Sequence, residues 1–247
     1  MNVNKHLRIG AWLIAGLGLF AAAQAQELVS NGGFELTSNG ANKGVGAGST
    51  LLTGWTATDG AYDFVFSDIN ASIPASPTAL SLWNQTNGGG GQASNSPTGG
   101  NFYAFDPAVA TPGPITQTLK NLQAGTYQVS FDWAVAQQYG YSSGTWGSWT
   151  VQLGSAAAQA TATVNNPSRS FTGWMHETMT FTVGAGDAVL SFLGKGGPQG
   201  VPPFALLDSV SVVAVPEPST YTLLLLGLAA VAAVARRKSR AGGPSTA

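Results

Sequence analysis

Thr126-Tyr127-Gln128-Val129-Ser130-Phe131-Asp132-Trp133-Ala134-Val135 is the stretch that decides the fold class of this chain. A large apolar side chain occupies every second position, from Tyr127 to Val135. Because alternate residues of a β-strand point to opposite faces, the pattern places five large side chains on one face. Burial of one such side chain contributes roughly 1.5–3 kcal/mol, so this face is predicted to form a wall of the core. The other face carries Gln128 and Asp132 and is predicted to be polar, as in an antiparallel sheet.

Similar short apolar runs recur between residues 26 and 214, and turn residues separate them. The clearest lie at residues 62–66, 102–106, 149–153, 175–183, 189–193 and 204–213. No helical period appears outside the two ends of the chain. About ten strands at regular spacing predict an all-β fold, an antiparallel β-sandwich of the jelly-roll kind over residues 26–214.

Residues 1–25 have the pattern of a secretory signal peptide, predicted to be a signal helix. Lys5 and Arg8 form a basic start, an apolar run follows, and Ala23-Gln24-Ala25 is a small-residue cleavage site. The chain is therefore predicted to pass through the secretion translocon and to be cut by signal peptidase before Gln26. The alternative is a retained N-terminal anchor.

The last part of the chain combines three features in a fixed order. Val215-Pro216-Glu217-Pro218 precedes the apolar run 221–235, and Arg236-Arg237-Lys238 ends that run. The prolines fix φ and remove two backbone donors, so the segment around Glu217 is predicted to stay extended and outside the fold. The run is predicted to be a transmembrane helix with residues 241–247 as a cytoplasmic tail. At about 22 Å against a hydrocarbon core of about 30 Å, it spans only if its flanks snorkel or the bilayer thins.

These three features resemble the PEP-CTERM sorting signal of Gram-negative bacteria. The resemblance implies that an exosortase, a membrane peptidase-like enzyme, recognises and processes the tail. It also implies export to the cell envelope or to an extracellular matrix such as a biofilm, with transient membrane anchoring. An ordinary C-terminal membrane anchor is the alternative, although such an anchor has no need of Pro-Glu-Pro.

The composition of residues 26–214 excludes several classes of function. Four Lys and Arg residues stand against ten Asp and Glu residues there, a net charge of −6. A domain with so few cations does not follow phosphate backbones, so no nucleic-acid partner is expected. The chain has no cysteine, which excludes disulfides, thiolate metal sites and cysteine catalysis.

Short motifs across residues 26–214 resemble galactose-binding-like jelly rolls, a group that includes many carbohydrate-binding modules. The motifs are Asn31-Gly32-Gly33-Phe34-Glu35, Gly54-Trp55, Gln117-Thr118-Leu119, Gly125-Thr126-Tyr127 with Val129-Ser130-Phe131, and Leu207-Asp208-Ser209-Val210-Ser211-Val212. In that group the early Glu and the Asp of the final strand often lie near a structural Ca²⁺, which implies Glu35 and Asp208 here. Ser209 stands where many relatives have a second acid. The alternative is that both carboxylates only bond turn backbone.

Tyr139, Tyr141, Trp146 and Trp149 crowd a Gly- and Ser-rich loop after the core strand. Exposed rings stack on the apolar face of a pyranose, and nearby amides such as Gln137 and Gln138 can bond its hydroxyls. These four rings are therefore candidate ligand contacts. The alternative is that they cap the end of the core.

No catalytic residue is predicted. His176 is the sole histidine between residues 26 and 214, and no Gly-x-Ser-x-Gly elbow is present. A carboxylate pair for glycoside hydrolysis would have to come from Asp106, Asp132 or Glu177. The sequence favours an exported, non-enzymatic protein that binds or organises polysaccharide. A structural or adhesive matrix protein without a small ligand, and a glycoside hydrolase, are the alternatives.

Overall fold

A computed structural model of the chain describes residues 26–46, 51–58, 62–74, 79–91, 95–109, 112–216 and 218–241. The predicted signal peptide, including Ala23 and Ala25, lies outside the described residues, as do Glu217 and residues 242–247. Side chains of the C-terminal helix are described from residue 223 to residue 237.

The described residues form two β-sheets that enclose a hydrophobic core, which confirms the predicted β-sandwich. The larger sheet contains β1 (Lys43–Gly44), β3 (Asp63–Phe66), β4 (Gly90–Gly91), β5 (Phe102–Phe105), β7 (Gly125–Gln137), β11 (Ser170–Phe171), β12 (Met175–Val183) and β14 (Pro203–Ala214). The smaller sheet contains β2 (Thr56–Ala57), β6 (Ile115–Leu122), β8 (Thr145–Leu153), β9 (Gln159–Ala160), β10 (Val164–Asn166) and β13 (Gly186–Gly197). A 3₁₀ helix covers Gln85–Asn87, and α1 covers Pro218–Ala241.

Strand β7 is the predicted core strand, extended by two residues at its C-terminal end. It pairs with β14 on one side and with β12 on the other, both antiparallel. The five large alternating side chains, from Tyr127 to Val135, are all buried in the core between the sheets. The order of the larger sheet is β1-β3-β5-β14-β7-β11-β4, and neighbours are antiparallel except for β11 and β4.

The prediction of a polar outer face holds only for the first half of β7. Ala134 and Ala136, on that face, are fully buried in a second hydrophobic cluster. Residues of β3, β5 and the segments 69–74 and 79–82 contribute to the cluster, which includes Phe64, Phe66, Ile69, Ile73, Leu80, Leu82 and Phe102. These residues cover the outer face of the sheet at Ala134 and Ala136, and the alternation within β7 does not predict this cover.

The predicted C-terminal helix is confirmed as α1. Within the residues that the structure describes, however, no helix has both the length and the apolar character that a membrane crossing requires. That residues 221–235 span a membrane stays a prediction.

Candidate functional site

Six strand termini meet at one end of the sandwich. In the larger sheet Gln137, at the end of β7, pairs with Pro203, at the start of β14. Phe105, at the end of β5, pairs with both Asp63 and Ala205. In the smaller sheet Trp146, near the start of β8, pairs with Gly197, at the end of β13. The loops that leave these strands therefore lie side by side.

This end of the sandwich carries a group of aromatic side chains, which we call the aromatic end: Tyr62, Trp83, Tyr139, Tyr141 and Trp146. Tyr62, Tyr139, Tyr141 and Trp146 are 40%, 47%, 40% and 38% exposed. In the described part of the chain these four are the only large aromatic side chains that are exposed to this degree. Three of them, Tyr139, Tyr141 and Trp146, were predicted as ligand contacts, and all three are exposed.

Trp83 packs against the ring of Tyr139 and bonds the backbone of Tyr141. Its ring centroid lies 4.3 Å from that of Tyr139, and its Nε1 donates a hydrogen bond to the carbonyl of Tyr141 at 2.8 Å. The Arg169 guanidinium lies 5.6 Å from the Trp83 ring centroid. Trp83 thus fixes the loop that presents both tyrosines. The sequence did not predict this role of Trp83. The residues before it form only isolated β-bridges, and they lie far from the loop in sequence.

Trp146 lies across the neighbouring strand of the smaller sheet. A Cβ atom at Gly197 would approach the Trp146 Nε1 atom to 3.0 Å, so the indole rests directly on the glycine backbone. One residue earlier, a Cβ at Gly196 would meet Pro107 and Pro203. Trp146 therefore lies at the same end of the sandwich but on the outer face of the smaller sheet, where Gly197 makes room for its ring.

Two predicted ligand contacts are wrong. Trp149 is fully buried in the core, where its Nε1 donates to the carbonyl of Leu206 at 3.1 Å, so no surface ligand can reach it. Gln137 is also fully buried. Its amide donates to the carbonyl of Ser143 and accepts from the backbone N–H of Arg169, so it shapes the loop instead of facing a ligand.

A carboxyl group that sequence reasoning considered only for catalysis lies at the aromatic end. Asp106 is buried, and burial raises its pKa to about 6, partly opposed by a hydrogen bond from the backbone N–H of Ala108. Burial also raises the pKa of the Tyr62 hydroxyl, with further contributions from Asp106 and Tyr141. Tyr62, which the sequence analysis did not select, is therefore close to both of these groups.

Glu35 and Asp208, the predicted metal ligands, lie close together. The Asp208 carboxylate is fully buried, and one of its oxygens, Oδ2, accepts hydrogen bonds from the hydroxyls of Ser96 and Thr98. Burial is the main cause that raises the Asp208 pKa to about 6, and the negative charge of Glu35 adds to it. Glu35 Oε1 accepts from the backbone N–H of Asn101 at 2.8 Å.

The donor atoms at this pair suit an oxygen-liganding cation. Among the residues that the structure describes, none forms a hydrogen bond with the buried Oδ1 atom of Asp208. A buried carboxylate oxygen without a donor costs stability, and a cation would remove that cost. Within the described residues no group of three or more His, Cys, Asp or Glu side chains converges, so hydroxyl and carbonyl oxygens would have to complete the coordination.

Two of the acids considered for glycoside hydrolysis, Asp132 and Glu177, do not face the same cleft. Asp132 pairs in register with His176, whereas Glu177 pairs with Phe131. Consecutive residues of a strand point to opposite faces, so Asp132 and Glu177 lie on opposite faces of the larger sheet. His176 donates or accepts one hydrogen bond with Asp132, at 2.8 Å, and its side chain is mostly exposed.

The predicted sorting residues lie at the exit of β14. Val215 and Pro216 follow that strand directly, Pro218 begins α1, and Arg236 and Arg237 lie in its last turns. Lys238 belongs to the same helix, with its side chain outside the described set. Gln26, the first residue after the predicted signal cleavage, is exposed.

Comparison with known proteins gives one sequence match and a set of distant likenesses of fold. Residues 214–239 match the PEP-CTERM protein-sorting motif. No curated protein matches the chain. The chain thus combines a β-sandwich with a segment that matches the PEP-CTERM sorting motif.

Among solved structures, TmCBM61 in complex with β-1,4-galactotriose is 15% identical, with a TM-score of 0.44, over 77% of this chain and 100% of that one. The CBM22-1 xylan-binding domain of Xyn10C from Paenibacillus barcinonensis is 15% identical, with a TM-score of 0.40, over 78% of this chain and 97% of that one. The MgGH51 α-L-arabinofuranosidase is 16% identical, with a TM-score of 0.44, over 76% of this chain but only 26% of the enzyme. Likenesses as distant as these say nothing about what this chain binds.

The raised pKa of Asp208 predicts how its replacement changes the pH dependence of stability. Its pKa is about 6 in the folded protein against an ordinary value of 3.8, so the folded state binds more protons between these values. Stability should therefore fall as the pH rises from about 4 to about 6. Asp208→Asn should flatten part of this fall, and Asp106, raised for the same reason, accounts for another part. Urea unfolding at a series of pH values measures the slope.

Asp187→Asn is the matched control for this experiment. A hydrogen bond from Lys120 lowers the pKa of Asp187 below 3.8, so its contribution to stability is lost only as the pH falls below that value. The Asp187→Asn variant should keep the wild-type slope between pH 4 and 6. An equal slope in wild type and Asp208→Asn would show that Asp208 is not held in the buried state described here.

Proposed function

We propose that this chain is an exported cell-surface or matrix protein whose tail is processed by an exosortase and whose aromatic end binds polysaccharide. The match of residues 214–239 to the sorting motif supports the first part. The exposed rings at one end of the sandwich, among them Tyr139 packed on Trp83, support the second part. Neither catalysis nor a nucleic-acid partner is part of the proposal.

Ring stacking explains why such a surface suits a sugar chain. The face of an aromatic ring covers the C–H face of a pyranose, and hydroxyl and amide groups around it bond the sugar hydroxyls. The hydroxyls of Tyr62, Tyr139 and Tyr141, with the amide of Gln138, supply such groups at the aromatic end. Rings held by a buried tryptophan lose little freedom on binding, which lowers the entropic cost.

The sorting part of the proposal is tested in the native host with its exosortase gene deleted and restored. We expect the intact mass of the protein to show loss of the tail, and the protein to reach the cell surface or medium, only when the enzyme is present. Replacing Pro216 and Pro218 by alanine together should abolish this change of mass. Processing that continues in the deletion strain would contradict the proposal.

The binding part is tested by replacing Tyr139, Tyr141 and Trp146 singly by alanine. Each lost ring should weaken polysaccharide binding by roughly 0.5–1.5 kcal/mol, up to about tenfold in affinity, with little change in stability. A glycan array identifies the polysaccharide, and affinity electrophoresis measures the variants. Val189→Ala, which shortens an exposed side chain on β13, is the control and should bind as wild type does.

Two outcomes would contradict polysaccharide binding at the aromatic end. One is binding that survives all three ring substitutions. The other is the absence of binding to every polysaccharide tested while the protein still reaches the matrix. The second outcome supports the structural or adhesive role.

We also propose that Glu35 and Asp208 hold a structural Ca²⁺. The unpartnered, buried Oδ1 of Asp208 supports this assignment. At a Ca²⁺ concentration of 100 times Kd, binding should stabilise the fold by about 2.7 kcal/mol. For a domain of this size that corresponds to a rise in Tm of roughly 5–10 °C. Calorimetry with Ca²⁺, with Mg²⁺ and with a chelator measures the effect. An equal response of Asp208→Asn would exclude the site.

A further inference from the structure

Strand β14 runs directly into the sorting motif. The matched segment begins at Ala214, which is the last residue of β14 and pairs with Tyr127 of β7. The next residue, Val215, donates its backbone N–H to the carbonyl of Thr126 at 2.8 Å. The first two residues of the sorting motif are therefore hydrogen-bonded parts of the folded domain.

Little chain separates the sheet from the helix of the sorting motif. Helix α1 begins at Pro218, so two residues lie between the last hydrogen bond of the sheet and the helix. Two extended residues reach only about 7 Å. A protein that binds the motif as an extended chain needs the backbone groups and both sides of that chain, and β7 already occupies the N–H of Val215.

Glu27 holds the same end of β14 from the other side. Its carboxylate accepts the backbone N–H of Val212 at 2.9 Å and the hydroxyl of Ser211. The same carboxylate accepts the backbone N–H groups of Leu28 at 2.9 Å and Val29 at 2.8 Å, and Glu27 forms a β-bridge with Val213. One charged side chain thus ties the N-terminal segment of the exported domain to the strand that leads into the tail.

We propose that the sorting enzyme and strand β7 compete for residues 214–215. Glu27 acts as a clamp, because its contacts with β14 keep the end of that strand paired with β7 and so keep these residues from the enzyme. The inference rests on the proposed processing by an exosortase. Ends of strands open locally far more often than the whole domain unfolds. If the enzyme binds only the opened strand end, its apparent affinity falls by the fraction of molecules that are open. The clamp therefore slows processing of the tail.

The first test compares wild type with Glu27→Ala in the full chain. Loss of hydrogen bonds to a charged acceptor should speed hydrogen exchange at the amides of Val212 and Val215 by about tenfold. Pulse-chase with intact-mass detection should show faster tail processing by a similar factor. Glu177→Ala is the control, because the Glu177 carboxylate bonds only its neighbour, the N–H of Thr178, among the described residues. It should leave both rates unchanged.

The second test separates the sheet from the motif without touching the clamp. Gly-Ser-Gly-Ser inserted between Ala214 and Val215 moves the motif about 13 Å from the sheet. The inserted chain should be processed at least as fast as Glu27→Ala, and adding Glu27→Ala to it should have no further effect on processing.

The outcomes distinguish this inference from the function on which it rests. A wild-type tail that is never processed when the enzyme is present overturns both. A tail that is processed at one rate in wild type, Glu27→Ala and the linker variant overturns only the clamp. Slower processing of the linker variant also overturns the clamp, since it would mean that the enzyme needs the sheet end as part of its binding surface.

Discussion

Hydrogen bonds from one short loop, residues 30–35, join the two sheets, and the rest of the sandwich depends on this connection. The backbone of Ser30 exchanges two hydrogen bonds with the side chain of Gln117 on β6, in the smaller sheet. The carbonyl of Gly32 accepts the N–H of Val210 on β14, in the larger sheet. A Cβ atom at Gly32 would lie 1.9 Å from the carbonyl oxygen of Val210, so no other residue fits there without displacing the strand. The carbonyl of Asn31 accepts the indole N–H of Trp55.

The same loop explains why the scattered sequence motifs occur together. Gln117, Trp55 and Val210 come from motifs that are far apart in the sequence, and each of them contacts residues 30–32. Phe34 adopts a positive φ of 56° and is fully buried, with its ring 5.3 Å from that of Trp55 and 5.7 Å from that of Tyr103. With Phe34 fixed in the core, Glu35 is held next to Asp208, just before the bulge of β14. The candidate metal site is thus a direct consequence of how the loop packs.

The sequence predicted the strand and the buried face that a local period of two determines. It did not predict the contacts that depend on packing between distant segments. The alternation from Tyr127 to Val135 predicted β7 and its inner face, because a period of two has one interpretation when the large residues share a face. The hydrophobic cluster that covers Ala134 and Ala136 was not predicted, because part of it comes from segments that form only isolated β-bridges and show no alternation of apolar residues.

Trp146 and Trp149 lie on one strand, and both were predicted to be surface rings. They are three positions apart on β8, so they point to opposite faces, and packing against the other sheet buries Trp149. Trp83 and Tyr62 reach the aromatic end from distant segments, so no sequence spacing connects them to it.

The antiparallel pairing of β7 and β14 fixes the relation between the two proposed activities. At one end of this pair Gln137 lies opposite Pro203, next to the aromatic rings, and at the other end Tyr127 lies opposite Ala214, where the sorting motif begins. Ten residue steps of β7, from Tyr127 to Gln137, separate these ends, a distance of about 33 Å at the rise of an extended strand. A protein held by its tail would therefore carry its aromatic rings at the far end, away from the point of attachment. Because paired strands, and no flexible linker, set this distance, ligand binding at the rings and processing at the tail can proceed without steric interference.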